Sequence, residues 1–148
     1  MGSIKNYTSK TPNTIEKIQK ILAQHKAKRM MFEYDQQGRI DSLMFSIELD
    51  GKELAFRLPA KVKNVEKIFL DNKSGKRHDW ELTQEEREQA YRTAWANIRD
   101  WVDAQLALID TEQVKFEEVF LPYMVTHDGR TYFERQKEEG FLLGDGNN

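Results

Sequence analysis

Apolar residues recur along this chain with two alternating periods, and each period marks an element. Ile15, Ile18, Ile21 and Leu22 return at helical spacing behind an Asn13/Glu16 capping pair, predicting an amphipathic helix from Asn13 to about Gln24. Lys17, Lys20 and Lys26 occupy its polar side. The period then drops to two. Met30, Phe32 and Tyr34 share one face of a strand from Arg29 to Asp35, and Gln36-Gln37-Gly38 turns the chain. From Arg39 to Asp50, Leu43, Phe45, Ile47 and Leu49 alternate with Met44, Ser46 and Glu48, the pattern of a half-buried strand. Asp50-Gly51 supplies the positive-φ pair of a two-residue hairpin, and Leu54, Phe56 and Leu58 continue a third strand that Pro59 ends.

Helical spacing returns at Val62, Val65, Ile68 and Phe69, predicting a second helix that closes near Asn72. A polar, basic stretch from Lys73 to His78 reads as a loop. Thr83 and Glu86 form a further capping box, behind which Tyr91, Ala94, Trp95, Ile98, Trp101, Val102, Leu106 and Ile109 make one stripe. That predicts a long helix over 84–109, about 38 Å at 1.5 Å per residue. A short helix is expected around Glu112–Phe120, stopped by Pro122. A second hairpin is expected from Tyr123–Thr126 and Arg130–Glu134 across Asp128-Gly129. Residues 1–12 and 141–148 are expected to be flexible ends. The predicted fold class is α+β: an antiparallel sheet, made of a three-stranded meander plus that second hairpin, with helices on one face.

Composition narrows the class. At 148 residues the chain suits a single domain spanning 1–148, able to bury roughly 68–70% of its unfolded surface. It has no cysteine, which excludes disulfides, thiolate nucleophiles and cysteine-ligated zinc. No apolar run nears the ~18 residues of a membrane span, and no apolar core marks a secretion signal, so a cytoplasmic protein is expected. Trp95 and Trp101 widen the apolar stripe and are expected in the core. Trp80 and the series Phe116, Phe120, Tyr123, Tyr132 and Phe133 have an exposed anchor patch as the alternative, but the core is the expected place for most of them.

Charge changes the picture most. Residues 1–78 hold 16 Lys/Arg against 9 Asp/Glu, a net of +7, whereas residues 79–148 hold 7 against 16, a net of −9. Glu81, Glu85, Glu86 and Glu88 offset the dipole at the start of the long helix. Asp100, Asp103, Asp110, Glu112, Glu117 and Glu118 have no such local reason. An acidic band of this kind can imitate phosphates and steer the chain onto a basic protein surface. The basic counterpart is Lys61, Lys63, Lys67, Lys73, Lys76 and Arg77, with His78 and Trp80 adjoining. Lysines release counterions from phosphate, and an indole can stack on a base.

Candidate chemistry is sparse. His25, His78 and His127 lie far apart without metal-ligand spacing, and His25 suits a helix C-terminus. No serine sits in a nucleophile elbow, and Lys73-Ser74-Gly75-Lys76 has the residues of a phosphate loop in the wrong order. Carboxylate pairs such as Asp100/Asp103 or Glu117/Glu118 show acids but no cleft. The expectation is a non-enzymatic protein without catalytic residues, metal or cofactor.

Two resemblances add context. Trp-Ala-Asn-Ile-Arg-Asp-Trp-Val-Asp-Ala-Gln-Leu-Ala-Leu-Ile at 95–109 and Glu-Glu-Val-Phe-Leu-Pro-Tyr-Met at 117–124 resemble small uncharacterised phage and prophage proteins. So do Ile4-Lys5-Asn6-Tyr7-Thr8 and Phe-Arg-Leu-Pro-Ala at 56–60. The resemblance implies a mobile-element accessory protein in a bacterial host cell, the class that includes inhibitors of CRISPR nucleases. It carries over no functional residue. The order helix, three strands, helix over 13–72 is also similar to that of double-stranded-RNA-binding domains, but the basic Lys-Lys-x-Ala-Lys signature of their second helix is missing here. Two readings compete. In the first, Asp100, Asp103, Asp110, Glu117 and Glu118 bind a host protein or nucleoprotein complex such as a CRISPR effector. In the second, Lys61, Lys63, Lys73, Lys76, Arg77 and Trp80 bind nucleic acid.

Overall fold

The computed structural model describes residues 13–73 and 81–141. The chain runs α1 (Asn13–Gln24), β1 (Arg29–Tyr34), β2 (Ile40–Leu49), β3 (Lys52–Pro59), α2 (Val62–Lys73), α3 (Gln84–Asp110), α4 (Phe116–Phe120), a 3-10 turn (Leu121–Tyr123) and α5 (Tyr132–Glu138). This is the α+β arrangement that the periodicity predicts, with a three-stranded antiparallel sheet in the order β1-β2-β3 and one long helix.

The sheet has two unlike faces. Leu43, Phe45, Phe56 and Leu58 point toward the helices and join Ile15, Ile18, Leu22, Ala94, Trp95, Val102 and Leu106 in one core. Phe45 stacks on Phe56 with centroids 5.4 Å apart, and Phe116 meets Phe56 edge-on at 5.2 Å, favoured geometries for aromatic quadrupoles. The opposite face is a polar ladder. Glu33 accepts from Ser42 Oγ and pairs with Arg57 at 3.0 Å; Glu53 accepts from Ser46 Oγ at 2.6 Å and pairs with Arg29 at 2.8 Å. These contacts satisfy two serines that the pleat buries.

α3 begins as its capping box dictates: Glu86 N–H donates to Thr83 Oγ1 at 3.1 Å, and Thr83 N–H donates to Glu86 Oε1 at 2.8 Å. Its Tyr91 hydroxyl and Trp95 Nε1–H both donate to the carbonyl of Ile40, at 3.0 and 3.3 Å, fastening the helix to the first residue of β2. Burial pushes the Tyr91 phenol up to about 12 despite the nearby Arg39, so it stays a donor.

The C-terminal third differs from expectation in three places. The short helix starts at Phe116 and not at Glu112, because Glu112 takes a left-handed φ of 62° and Gln113 N–H returns to Leu108 O at 2.9 Å, closing α3. The second hairpin shrinks to one isolated bridge, Val125 with Thr131, around the Asp128-Gly129 turn, while Met124 bridges to Phe56 of β3. The hairpin's second arm is the start of α5. Thr131 and Glu134 form a capping box there, and this local signal outweighs the strand propensity of Tyr132 and Phe133. The segment still reaches the sheet edge, with Val125 N–H donating to Ala55 O at 2.8 Å.

Phe141, expected to fray, donates its N–H to Gln136 O at 2.8 Å and packs its ring on Phe133. The rest of both expected flexible ends lies outside the described residues. Trp95 is fully buried as expected, and Trp101 is half-buried against Phe120 and Tyr123. Phe116 and Phe120 belong to the core as expected and Tyr123 packs against it, whereas Tyr132 and Phe133 are exposed.

Candidate functional site

Two surfaces carry the candidate residues. The first is the solvent side of α3. Asp100, Asp103 and Asp110 are exposed and fall within about 80° of one another around the helix, on a stripe shared with Ala104 and Ala107. The core-facing stripe of Trp95, Val102 and Leu106 holds this orientation in place. Glu117 and Glu118 are exposed on α4, which follows the turn at the end of α3.

Three of these acids have partners, two of them local and one from a distant element. Asp100 pairs with Arg99 at 2.9 Å. Glu118 Oε1 accepts Lys115 N–H at 2.8 Å, capping α4. Asp110 accepts from His25 Nε2 at 2.9 Å, while His25 Nδ1 lies 2.8 Å from the carbonyl oxygen of Ile21. An imidazole donating from both nitrogens is protonated. Partial burial opposes that charge, but the bonds to Asp110 and Ile21, with Asp103 nearby, raise the His25 pKa above its usual value. The helix dipole explains the position of His25, and Asp110 supplies a partner from a distant element. Asp103 and Glu117 have no ion-pair partner among the described residues.

The second surface is an open groove of about 680 Å³ between the β1–β2 turn and the start of α2. Tyr34, Asp35, Arg39 and Asp41 line one side; Lys61, Lys63 and Asn64 line the other. Arg39 is fixed in place: its Nε donates to Asp35 at 3.0 Å, and its guanidinium carbon lies 5.0 Å from the Tyr91 ring centroid. Asp35 is desolvated, yet bonds from the Arg39 N–H and side chain and from Gln37 N–H hold its carboxyl below the usual range. Lys61 takes a φ of 53° and sets its ammonium 5.9 Å from the Phe133 ring centroid, a cation–π arrangement. Tyr34 and Arg39 were not singled out by sequence. The Asp35/Arg39 pair straddling Gln36-Gln37-Gly38 is a visible signal for the turn, but nothing local brings that turn to Lys61.

The basic set is therefore divided. Lys61 and Lys63 meet at the groove, whereas Lys73, at the far end of α2, donates to Glu86 Oε1 at 2.8 Å and to Glu81 O at 3.1 Å. Lys76, Arg77 and Trp80 lie outside the described residues.

Among the described residues, charges pair mainly within their own half. Lys28–Glu48, Arg29–Glu53, Arg39–Asp35, Arg57–Glu33 and Lys67–Asp71 stay in the first half; Arg99–Asp100, Arg130–Asp128, Arg130–Glu138 and Arg135–Glu139 stay in the second. His25–Asp110 and Lys73–Glu86 are the cross-half pairs among the described residues. Among those residues no group of three or more His, Asp or Glu is placed to hold a metal ion, and no helix is long and apolar enough to cross a membrane. No family model, no curated protein and no solved structure matches this chain.

Proposed function

We propose that this protein acts by binding and not by catalysis, docking the acidic side of α3 and α4 onto a basic surface of a protein partner. Asp100, Asp103 and Asp110 form the contact stripe, with Glu117 and Glu118 continuing it. The observation that carries the reading is the pairing pattern: among the described residues, His25–Asp110 and Lys73–Glu86 are the close ion pairs that join the basic half to the acidic one. Small Ala104 and Ala107 keep the stripe flat, so a partner can approach the carboxylates closely. The partner chemistry that fits is a cationic channel built for nucleic acid, where carboxylates stand in for phosphates. In a mobile-element setting that partner is a bacterial defence nucleoprotein, such as a CRISPR effector, in the bacterial cytoplasm.

The test titrates the protein into a purified defence nuclease complex and reads target cleavage. Wild type should reduce cleavage, and Asp100→Lys/Asp103→Lys should not. Equal inhibition by both proteins, or none by either across representative complexes, refutes the proposal.

One observation favours a second reading: Lys61 and Lys63 face the groove together with the exposed ring of Tyr34. Lysines lining a groove with an exposed aromatic suit a single-stranded nucleic acid, in which phosphate and base are contacted together. Gel-shift titrations with DNA and RNA at about 50 and 200 mM salt separate the readings. Binding that weakens steeply with salt and is lost in Lys61→Ala/Lys63→Ala supports the second reading. Absence of any shift removes it.

A further inference from the structure

The two edges of the sheet are treated differently. The Met124–Val125 segment takes up the edge of β3, whereas among the described residues nothing bonds to the outer edge of β1. Exposed strand edges are templates for pairing, and proteins usually cover, charge or kink them. Here the register shifts at Glu33/Tyr34, with the extra residue, Asp41, on β2, so β1 itself stays regular and leaves Met31 55% exposed.

The backbone parity of β1 follows from its neighbours. Ala60 N–H donates to Asp41 O, so odd-numbered residues of β2 direct their backbone groups to β3 and even-numbered ones to β1. Ser42, Met44 and Ser46 therefore bond to Glu33, Met31 and Arg29. Met30 and Phe32 are left with N–H and C=O turned outward.

We infer that this edge pairs antiparallel with β1 of a second copy of the chain, in the register centred on Met31. In that register Met30 exchanges backbone hydrogen bonds with Phe32 of the second copy, and Phe32 with its Met30. On the polar face Arg29 comes opposite Glu33, Glu33 opposite Arg29, and Met31 opposite Met31. All three are non-hydrogen-bonded pairs, where cross-strand side chains are closest. Moving the axis to Met30 or Phe32 would set a charged residue opposite Met31, so charge and apolar matching select one register. The Arg29–Glu53 and Glu33–Arg57 pairs then join into a ladder across a six-stranded sheet. The acidic stripe of α3 plays no part in this surface, so the inference stands apart from the proposed function.

The absence of cysteine gives a direct test. Facing residues at a non-hydrogen-bonded position have Cα atoms about 4.5 Å apart, within disulfide reach. Met31→Cys should oxidise to a covalent dimer at least about tenfold faster than Ile68→Cys, a control of similar exposure (56%) on α2. Adding Arg29→Glu to Met31→Cys should slow cross-linking, and adding Glu33→Arg as well should restore it, with circular dichroism monitoring the fold. Sedimentation of the wild type over about 1–100 µM should show a mass rising from 17.5 kDa toward twice that value. A monomer at every concentration, equal oxidation of the two cysteine variants, or cross-linking indifferent to the charge changes overturns the inference. So does a monomer that binds an unrelated extended peptide along β1.

Discussion

The acidic stripe on α3 and the groove beside α2 are built by opposite means. The stripe lies on one continuous helix, so its residues share a face because 3.6 residues make a turn. The groove joins a strand turn to a helix start about 25 positions away in sequence, and its geometry rests on contacts between elements. A surface of the first kind tolerates substitution one residue at a time; a surface of the second kind fails when its supports fail. Both nevertheless hang on Trp95 and Tyr91, which tie α3 to the carbonyl of Ile40, between the groove-lining Arg39 and Asp41.

That shared support gives the largest expected effect. Trp95→Ala removes a fully buried indole and one of the two donors to Ile40, and should cost about 3–5 kcal/mol in a denaturant titration. Both surfaces should be lost together. If partner inhibition survives at full strength in the folded fraction while the groove is disordered, the two regions do not share this support.

Charge reversal separates the regions. Asp100→Lys/Asp103→Lys should change stability by no more than about 0.5 kcal/mol, as for exposed substitutions. Inhibition of the partner should fall about tenfold or more, equivalent to about 1.4 kcal/mol. Lys61→Ala/Lys63→Ala should leave inhibition intact, and the reverse outcome would transfer the function to the groove.

A smaller effect probes the support under Lys61. Thr131→Ala removes the N-cap of α5 and should cost about 1 kcal/mol by thermal unfolding. Because Phe133 of that helix carries the Lys61 ammonium, the loss should be felt at the groove and not on the α3 stripe. A nuclear magnetic resonance shift map showing larger changes at Asp103 than at Lys61 would contradict this.

The smallest effect is pH-dependent. His25 has a raised pKa in the folded state, so its bond to Asp110 stabilises fully below the unfolded value near 6.5 and fades as pH rises through the folded value. Because the Asp110 side chain is 58% exposed, the contribution is a surface-pair one of about 0.5 kcal/mol. His25→Asn should flatten the corresponding slope of stability against pH, which sets in as pH rises above the unfolded value near 6.5. An unchanged slope would show that the contact does not hold α1 to α3.

Much of what depends on near neighbours was legible in the sequence. The hairpin at Asp50-Gly51, the cap at Thr83 and Glu86, and the stripe from Tyr91 to Leu106 all appear where spacing places them. The misreadings have local causes too. Thr131 and Glu134 carry a capping signal that the aromatics Tyr132 and Phe133 disguised, and Glu112 adopts a left-handed turn that helical periodicity does not encode. The acids of the second half were harder to read. The local partners of Asp100 and Glu118 are a neighbouring arginine and a helix-start N–H, whereas the partner of Asp110 is 85 positions away.

The sequence by itself determined the α+β class, the order of the elements, and the face on which each amphipathic residue lies, because periodicity and capping act over a few residues. Tertiary structure decided which charges are neutralised, which turn meets which helix, and which strand edge is left uncovered. Those outcomes depend on distances between elements, and only packing of the shared core sets them.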